Sequence, residues 1–132
     1  MNVSRLIEIL GLAFLALVGV ALGYLGYIWV FTPEVQIESL GLVAPTIPSM
    51  SLLRSILGSG LLTFAAMSFL FIYDRSTWFR PLMLFATLLF AARCFSLIVD
   101  GVHDRMVLYA VLEGFIIIDV LFLNHVFKTG SN

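Results

Sequence analysis

The chain has 132 residues, of which 61 % are hydrophobic and 11 % are charged, whereas about a quarter of the residues of an ordinary soluble domain are charged. A soluble fold cannot bury so much apolar surface, so the composition predicts an integral membrane protein. The net charge of −1 argues against nucleic acid as a partner. The single cysteine, Cys94, excludes an intrachain disulfide, and we predict no metal, no cofactor and no catalytic residue.

Four apolar stretches predict four membrane-spanning helices in a single domain over residues 1–132. The helices are expected at about residues 5–31, 51–73, 81–99 and 105–127, each near the roughly 20 residues that cross a bilayer. The first connection, with its three prolines, is the longest and is expected to lack regular structure. The other two are short, which predicts that the second, third and fourth helices are sequential antiparallel neighbours. The expected fold is therefore all-α, an antiparallel four-helix bundle in the membrane.

The basic residues outside the predicted helices indicate an orientation. Arg5, Arg75, Arg80 and Lys128 fall on one side of the membrane, and the long first connection contains no Lys or Arg. Because basic residues favour the cytoplasmic side, both termini and the second connection are predicted to be cytoplasmic.

Charged residues inside the third and fourth predicted helices point to a polar site. Counting 1.5 Å per residue, Arg93 and Glu113 lie about 9 and 10 Å below the outer ends of their helices. Arg54 of the second helix can reach toward the same depth with its long side chain, and Ser96 and Asp100 share the helix face of Arg93. These five residues predict a pocket in the outer leaflet. The alternative is that Arg93 and Glu113 only hold two helices together.

Two further acids, Glu8 and Asp119, are possible proton sites. Glu8 is close to the cytoplasmic side, where it is expected to extend to the interface beside Arg5. No basic residue falls level with Asp119. It is therefore expected either to be neutral and hydrogen-bonded, or to face another subunit or a wet crevice.

The first predicted helix has small residues on one face. Gly19, Gly23 and Gly26 follow a small-x-x-x-small pattern that lets another helix approach closely. Packing within the chain is the expected meaning. A homodimer or another membrane protein is the alternative partner for this face.

Several of these residues also form a pattern, namely Arg54 before Gly58-Ser59-Gly60, the run Ala-Ala-Arg-x-x-Ser-Leu-x-x-Asp-Gly over Ala91 to Gly101, and Leu112-Glu113. The pattern resembles a family of small bacterial four-helix membrane proteins that is catalogued as domain of unknown function 4345. The resemblance covers nearly the whole chain and implies the fold and a bacterial inner-membrane location, but no activity. It falls on Arg54, Arg93, Asp100, Gly101 and Glu113. Glu8 and Asp119 have no counterpart in it.

Three functions are compatible with these features. The first is a non-enzymatic protein that binds an anionic lipid or small amphiphile, or an accessory membrane subunit, because arginines suit phosphate and carboxylate groups. The second is a proton-coupled small-molecule transporter that works as a dimer through Glu8, Asp119 and the glycine face. The third is a membrane-embedded enzyme in which Glu113 or Asp119 acts as acid or base on a lipid-soluble substrate.

Overall fold

The computed structural model describes residues 3–41, 50–51, 53–99, 101–102 and 104–130, and within this part of the chain the structure is helical with no strand. The segments are α1 (Val3–Phe31), α2 (Pro33–Ser39), a π-helical turn (Arg54–Gly58) that continues into α3 (Ser59–Tyr73), α4 (Arg75–Val99) and α5 (Asp104–Gly130). Four of them are long and apolar enough to span a membrane: α1, the π-helical turn together with α3, α4, and α5. The all-α class is thus confirmed, as is the presence of four helices that are long and apolar enough to span a membrane.

The start of α4 differs from the prediction by six residues. The helix begins at Arg75, and Pro81 lies inside it. Asp74 caps it, because its Oδ1 accepts hydrogen bonds from the backbone N–H groups of Ser76 and Thr77 at 3.1 and 3.2 Å. These hydrogen bonds, above all those with Thr77, hold the pKa of Asp74 below its ordinary value. Pro81 had indicated a helix start because proline favours the first helical turn, but the Asp74 cap begins the helix earlier.

The first connection is partly helical, contrary to our expectation. Pro33 occupies the N-terminus of α2, Glu34 lies in its first turn, and Pro33 and Ile37 are buried. Proline at the first position and an acid near the positive end of the helix dipole are both favourable there. The signal for α2 was therefore present in the sequence. The other two prolines of this connection, at positions 45 and 48, lie outside the described residues.

The chain divides into two compact units. One comprises Met1–Leu15 and Leu70–Asn132, and the other comprises Ala16–Phe69. Each has its own buried residues. They include Leu15, Phe71, Leu82, Ala86, Glu113, Ile116, Val120 and Leu123 in the first unit, and Trp29, Pro33, Ile37, Phe64, Ala65, Met67 and Ser68 in the second. The first unit contains Glu113 and Asp119, the two acids of α5 that the sequence analysis singled out.

The glycine face of α1 packs within the second unit. A Cβ atom at Gly26 would lie 3.0 Å from the backbone nitrogen of Leu62 and 3.1 Å from the carbonyl oxygen of Gly58. Gly19 faces the ring of Phe69 in the same way. The small residues thus let α1 approach the backbone of the next spanning segment. A partner helix at this face would have to displace α3.

Candidate functional site

Arg93 of α4 and Glu113 of α5 form an ion pair. The Arg93 Nε and Nη2 atoms both donate to Glu113 Oε1, at 3.3 and 3.0 Å. The structure thus brings together the two residues for which equal depth was predicted. Only a short segment separates α4 from α5, so the two residues meet across neighbouring helices.

This pair leaves one carboxylate oxygen without a partner. Glu113 is 9 % exposed, and its Oε2 is buried with no hydrogen-bond partner in the described structure. Leaving a buried acceptor unpaired costs about 1–3 kcal/mol. The oxygen therefore lacks, within the described residues, the hydrogen-bond donor that a buried acceptor normally has.

The guanidinium of Arg93 is held on other sides as well. Its Nη1 donates to the Met106 sulfur at 3.5 Å, and its central carbon lies 5.4 Å from the centre of the Tyr109 ring, within the range of a cation–π interaction. The side chain is still 26 % exposed, and Nη1 and Nη2 each have a second N–H group beyond the bonds described. The site therefore combines a fixed cation that has donors to spare with a buried acceptor.

Arg54 pairs with a residue that the sequence argument missed. Its Nη2 donates to Glu34 Oε1 at 3.2 Å, with side chains 43 % and 62 % exposed, and its Nε is buried without a partner. The missed residue, Glu34, lies on α2, where no regular structure was expected. That Arg54 takes part in a common site with Arg93 stays a prediction.

The remaining members of the predicted pocket are only partly described. Ser96 is half-buried on α4, and its spacing from Arg93 places the two on one helix face. Asp100 lies outside the described residues.

Glu8 has a different partner from the one expected. Its Oε1 accepts a hydrogen bond from Arg75 Nη1 at 2.9 Å, and the two side chains are 29 % and 12 % exposed. We expected Glu8 to lie beside Arg5 at the interface. Because α4 begins at Arg75 and not at Pro81, this arginine is a fixed helical residue that can pair with Glu8.

Asp119 borders an open groove of about 490 Å³ together with Phe14, Leu112, Phe115, Ile118 and Phe122. Its Oδ2 is buried and has no hydrogen-bond partner in the described structure, so the hydrogen-bonded form that we expected is not seen at this atom. A Cβ atom at Gly11 would lie only 2.6 Å from Oδ1. The absent side chain of Gly11 thus makes room for the carboxyl group.

No family model, curated protein or solved structure matches this chain. The resemblance to the bacterial four-helix family therefore stays a prediction. Among the described residues, no group of three His, Cys, Asp or Glu side chains could hold a metal ion.

Proposed function

We propose that the protein is a bacterial inner-membrane protein that binds a lipid or small amphiphile at Arg93 and Glu113, either for its own function or as an accessory subunit. In this proposal the four spanning helices are antiparallel and both termini are cytoplasmic, as the distribution of basic residues favours. The observation that supports binding most directly is the buried, unpartnered Oε2 of Glu113 beside an arginine that has N–H groups to spare.

The charges of the site narrow the chemistry of the ligand. Arg93 and Glu113 neutralise each other, so the pair has no excess positive charge to attract a simple anion. A head group with an anionic oxygen and also a hydroxyl or ammonium donor would satisfy both partners, the oxygen at Arg93 and the donor at Glu113 Oε2. A phospholipid head group of the hydroxylated or zwitterionic kind has both groups.

Native mass spectrometry of gently extracted protein tests this proposal. The wild type is compared with Arg93→Leu/Glu113→Leu, which removes both charges and so leaves no buried charge unpaired. The matched control is Arg75→Leu/Glu8→Leu, since this is also an ion pair between two helices of the first unit. We expect a phospholipid adduct on the wild type and on the control, and its loss from the Arg93/Glu113 variant. Arg54→Ala, measured in parallel, tests whether Arg54 contributes.

Two results would contradict lipid binding at this site. One is a wild type that retains no adduct under conditions that preserve its folded charge-state distribution. The other is an adduct retained equally by all variants, since this would place bound lipid elsewhere on the apolar surface. An adduct with the mass of a polypeptide would favour the accessory-subunit form of the proposal.

A second candidate, the proton-coupled transporter working as a dimer, is favoured by Asp119. This acid borders an open groove, and its Oδ2 has no partner within the described structure. Proteoliposome flux that depends on a pH gradient and disappears in Asp119→Asn would support transport. Flux that is unchanged in this variant would exclude a role for Asp119.

An acid–base enzyme lacks comparable support, because the described structure places no second ionisable group in hydrogen-bond contact with Asp119 Oδ2.

A further inference from the structure

The groove beside Asp119 has the size and lining of a small-molecule site. Its volume of about 490 Å³ is within the roughly 300–1,000 Å³ typical of ligand pockets. Besides Asp119, the described residues of its lining are three phenylalanines, from α1 and α5, and two aliphatic residues. A second groove of about 310 Å³ shares Phe115 and Ile118 with it and continues along α4 and α5. The described lining residues of the second groove are all apolar or small, so the apolar surface extends beyond the groove at Asp119.

Among the described residues that line this groove, Asp119 is the polar one. The three ion pairs of the described structure use Glu8, Glu34 and Glu113, and none of them uses Asp119. Its Oδ2 is buried without a partner among the described residues, while Oδ1 lies where a side chain at Gly11 would otherwise be. Among the described residues, the carboxyl group that borders the groove thus has no counter-ion, and its Oδ2 has no hydrogen-bond donor.

The chemistry that complements these features is specific. A ligand must bring a positive charge and an N–H donor to the carboxyl group of Asp119, since such charge-assisted hydrogen bonds are the strong ones. It must also have an apolar body for the phenylalanine-lined wall, and aromatic faces add attraction for a cation. A protonated primary amine on an alkyl chain meets all of these requirements.

We propose that this groove is a binding site for alkylammonium amphiphiles, with the ammonium group on Asp119 and the chain along the apolar wall. The site is separate from the Arg93–Glu113 pair, because Asp119 lies about 120° around α5 from Glu113. The proposal therefore stands or falls independently of lipid binding at Arg93.

The test measures binding of fluorescent probes to the full chain in phosphatidylcholine nanodiscs, with empty nanodiscs as the partitioning background. One probe is a dansyl-labelled dodecylammonium, and the other is the same molecule with a sulfonate in place of the ammonium. We expect saturable binding of the ammonium probe only. Asp119→Asn should weaken binding of the ammonium probe about tenfold or more, since a charged hydrogen bond is lost. Asp119→Glu, which keeps the charge, should bind this probe more tightly than Asp119→Asn does.

Further variants distinguish the contribution of the apolar lining residues to binding from that of the Asp119 charge. Phe122→Ala removes a lining residue and should weaken binding, whereas Leu121→Ala, on the same helix and exposed, should not. Glu38→Gln, which changes an exposed acid of α2, is the control for a general loss of negative charge. Gly11→Ala should also weaken binding, because its Cβ would force the carboxyl group from its position.

Three outcomes would overturn the proposal. Equal binding of the sulfonate probe would show an apolar groove without charge recognition. Unchanged ammonium binding in Asp119→Asn would place the probe elsewhere. The third outcome is that the folded wild type shows no saturable binding and that Asp119→Asn changes the oligomeric mass. This result would instead identify the groove as an interface between copies of the chain.

Discussion

At the scale of single residues, burial decides what each ion pair contributes. The Arg54–Glu34 pair is mostly exposed, with side chains 43 % and 62 % accessible, and such pairs contribute about 0–1 kcal/mol. The Arg93–Glu113 pair is the more buried, with side chains 26 % and 11 % accessible. Removing one partner there leaves the other in a poorly solvated position.

We therefore expect Arg93→Ala to destabilise the protein by about 3 kcal/mol, because it strands the buried carboxylate of Glu113. The double variant Arg93→Leu/Glu113→Leu should cost less than the single one, since it leaves no unpaired charge. Arg54→Ala should cost under about 1 kcal/mol. Denaturant unfolding in mild detergent, followed by circular dichroism, measures all three variants.

Two features of such data would contradict the ion-pair argument. One is an Arg93→Ala variant as stable as the wild type. The other is a double variant that is less stable than the single one, since this would mean that the residues act through their shape and not through their charges.

At the scale of helices, the contact of α1 with the π-helical turn and α3 depends on missing side chains. Around Gly26 the nearest atoms include the backbone of Leu62 and Gly58, which cannot move aside as the end of a side chain can. Gly60 lies in the same unit and in a helix, but a Cβ atom there would meet nothing within 4 Å. The two glycines thus differ in the room that is available for a side chain, and not in helix propensity.

Gly26→Ala should accordingly destabilise the protein by about 1–3 kcal/mol, because the added methyl group overpacks a helix contact. Gly60→Ala should be neutral or stabilise by up to about 1 kcal/mol, because alanine is the better helix former. Thermal unfolding of both variants in the same detergent gives the comparison. Equal effects of the two substitutions would show that α1 does not pack on Leu62 and Gly58 as described.

At the scale of the whole molecule, four helices of the described residues are long and apolar enough to span a membrane, and the basic residues give the expected direction. Asp74 alone separates α3 from α4, and Arg75 and Arg80 follow within the first turns of α4. Positive charge at this junction favours the cytoplasmic side. The Glu34–Arg54 pair would then lie on the opposite side, at the other end of α3.

Reporter fusions test this orientation. Alkaline phosphatase fused after Ser39 should be active, because the enzyme folds only outside the cytoplasm, and a fluorescent protein fused after the C-terminus should fluoresce. Arg80→Glu should weaken this preference, since it removes an exposed basic residue from the junction. The reversed reporter pattern in the wild type would show that both termini lie outside.

Local features of the sequence were enough to predict the class of the fold and the Arg93–Glu113 contact. Apolar stretches of about 20 residues indicate spanning helices whatever their neighbours are. The two residues are joined through a short connection, so a count of helical rise accumulates little error between them. The start of α4 was less predictable, because Pro81 and the Asp74 cap gave competing signals.

The partners of the other charges were decided by tertiary structure alone. Glu8 and Arg75 are 67 residues apart, and no periodicity relates them. The groove at Asp119 combines Phe14 of α1 with five residues of α5, and room for its carboxyl group depends on Gly11. Sequence by itself determined the four helices of membrane-spanning length and apolarity and one contact between neighbours, because these follow from hydrophobicity and helical rise. Only packing between distant helices determined which acid has a counter-ion and which one borders an open groove.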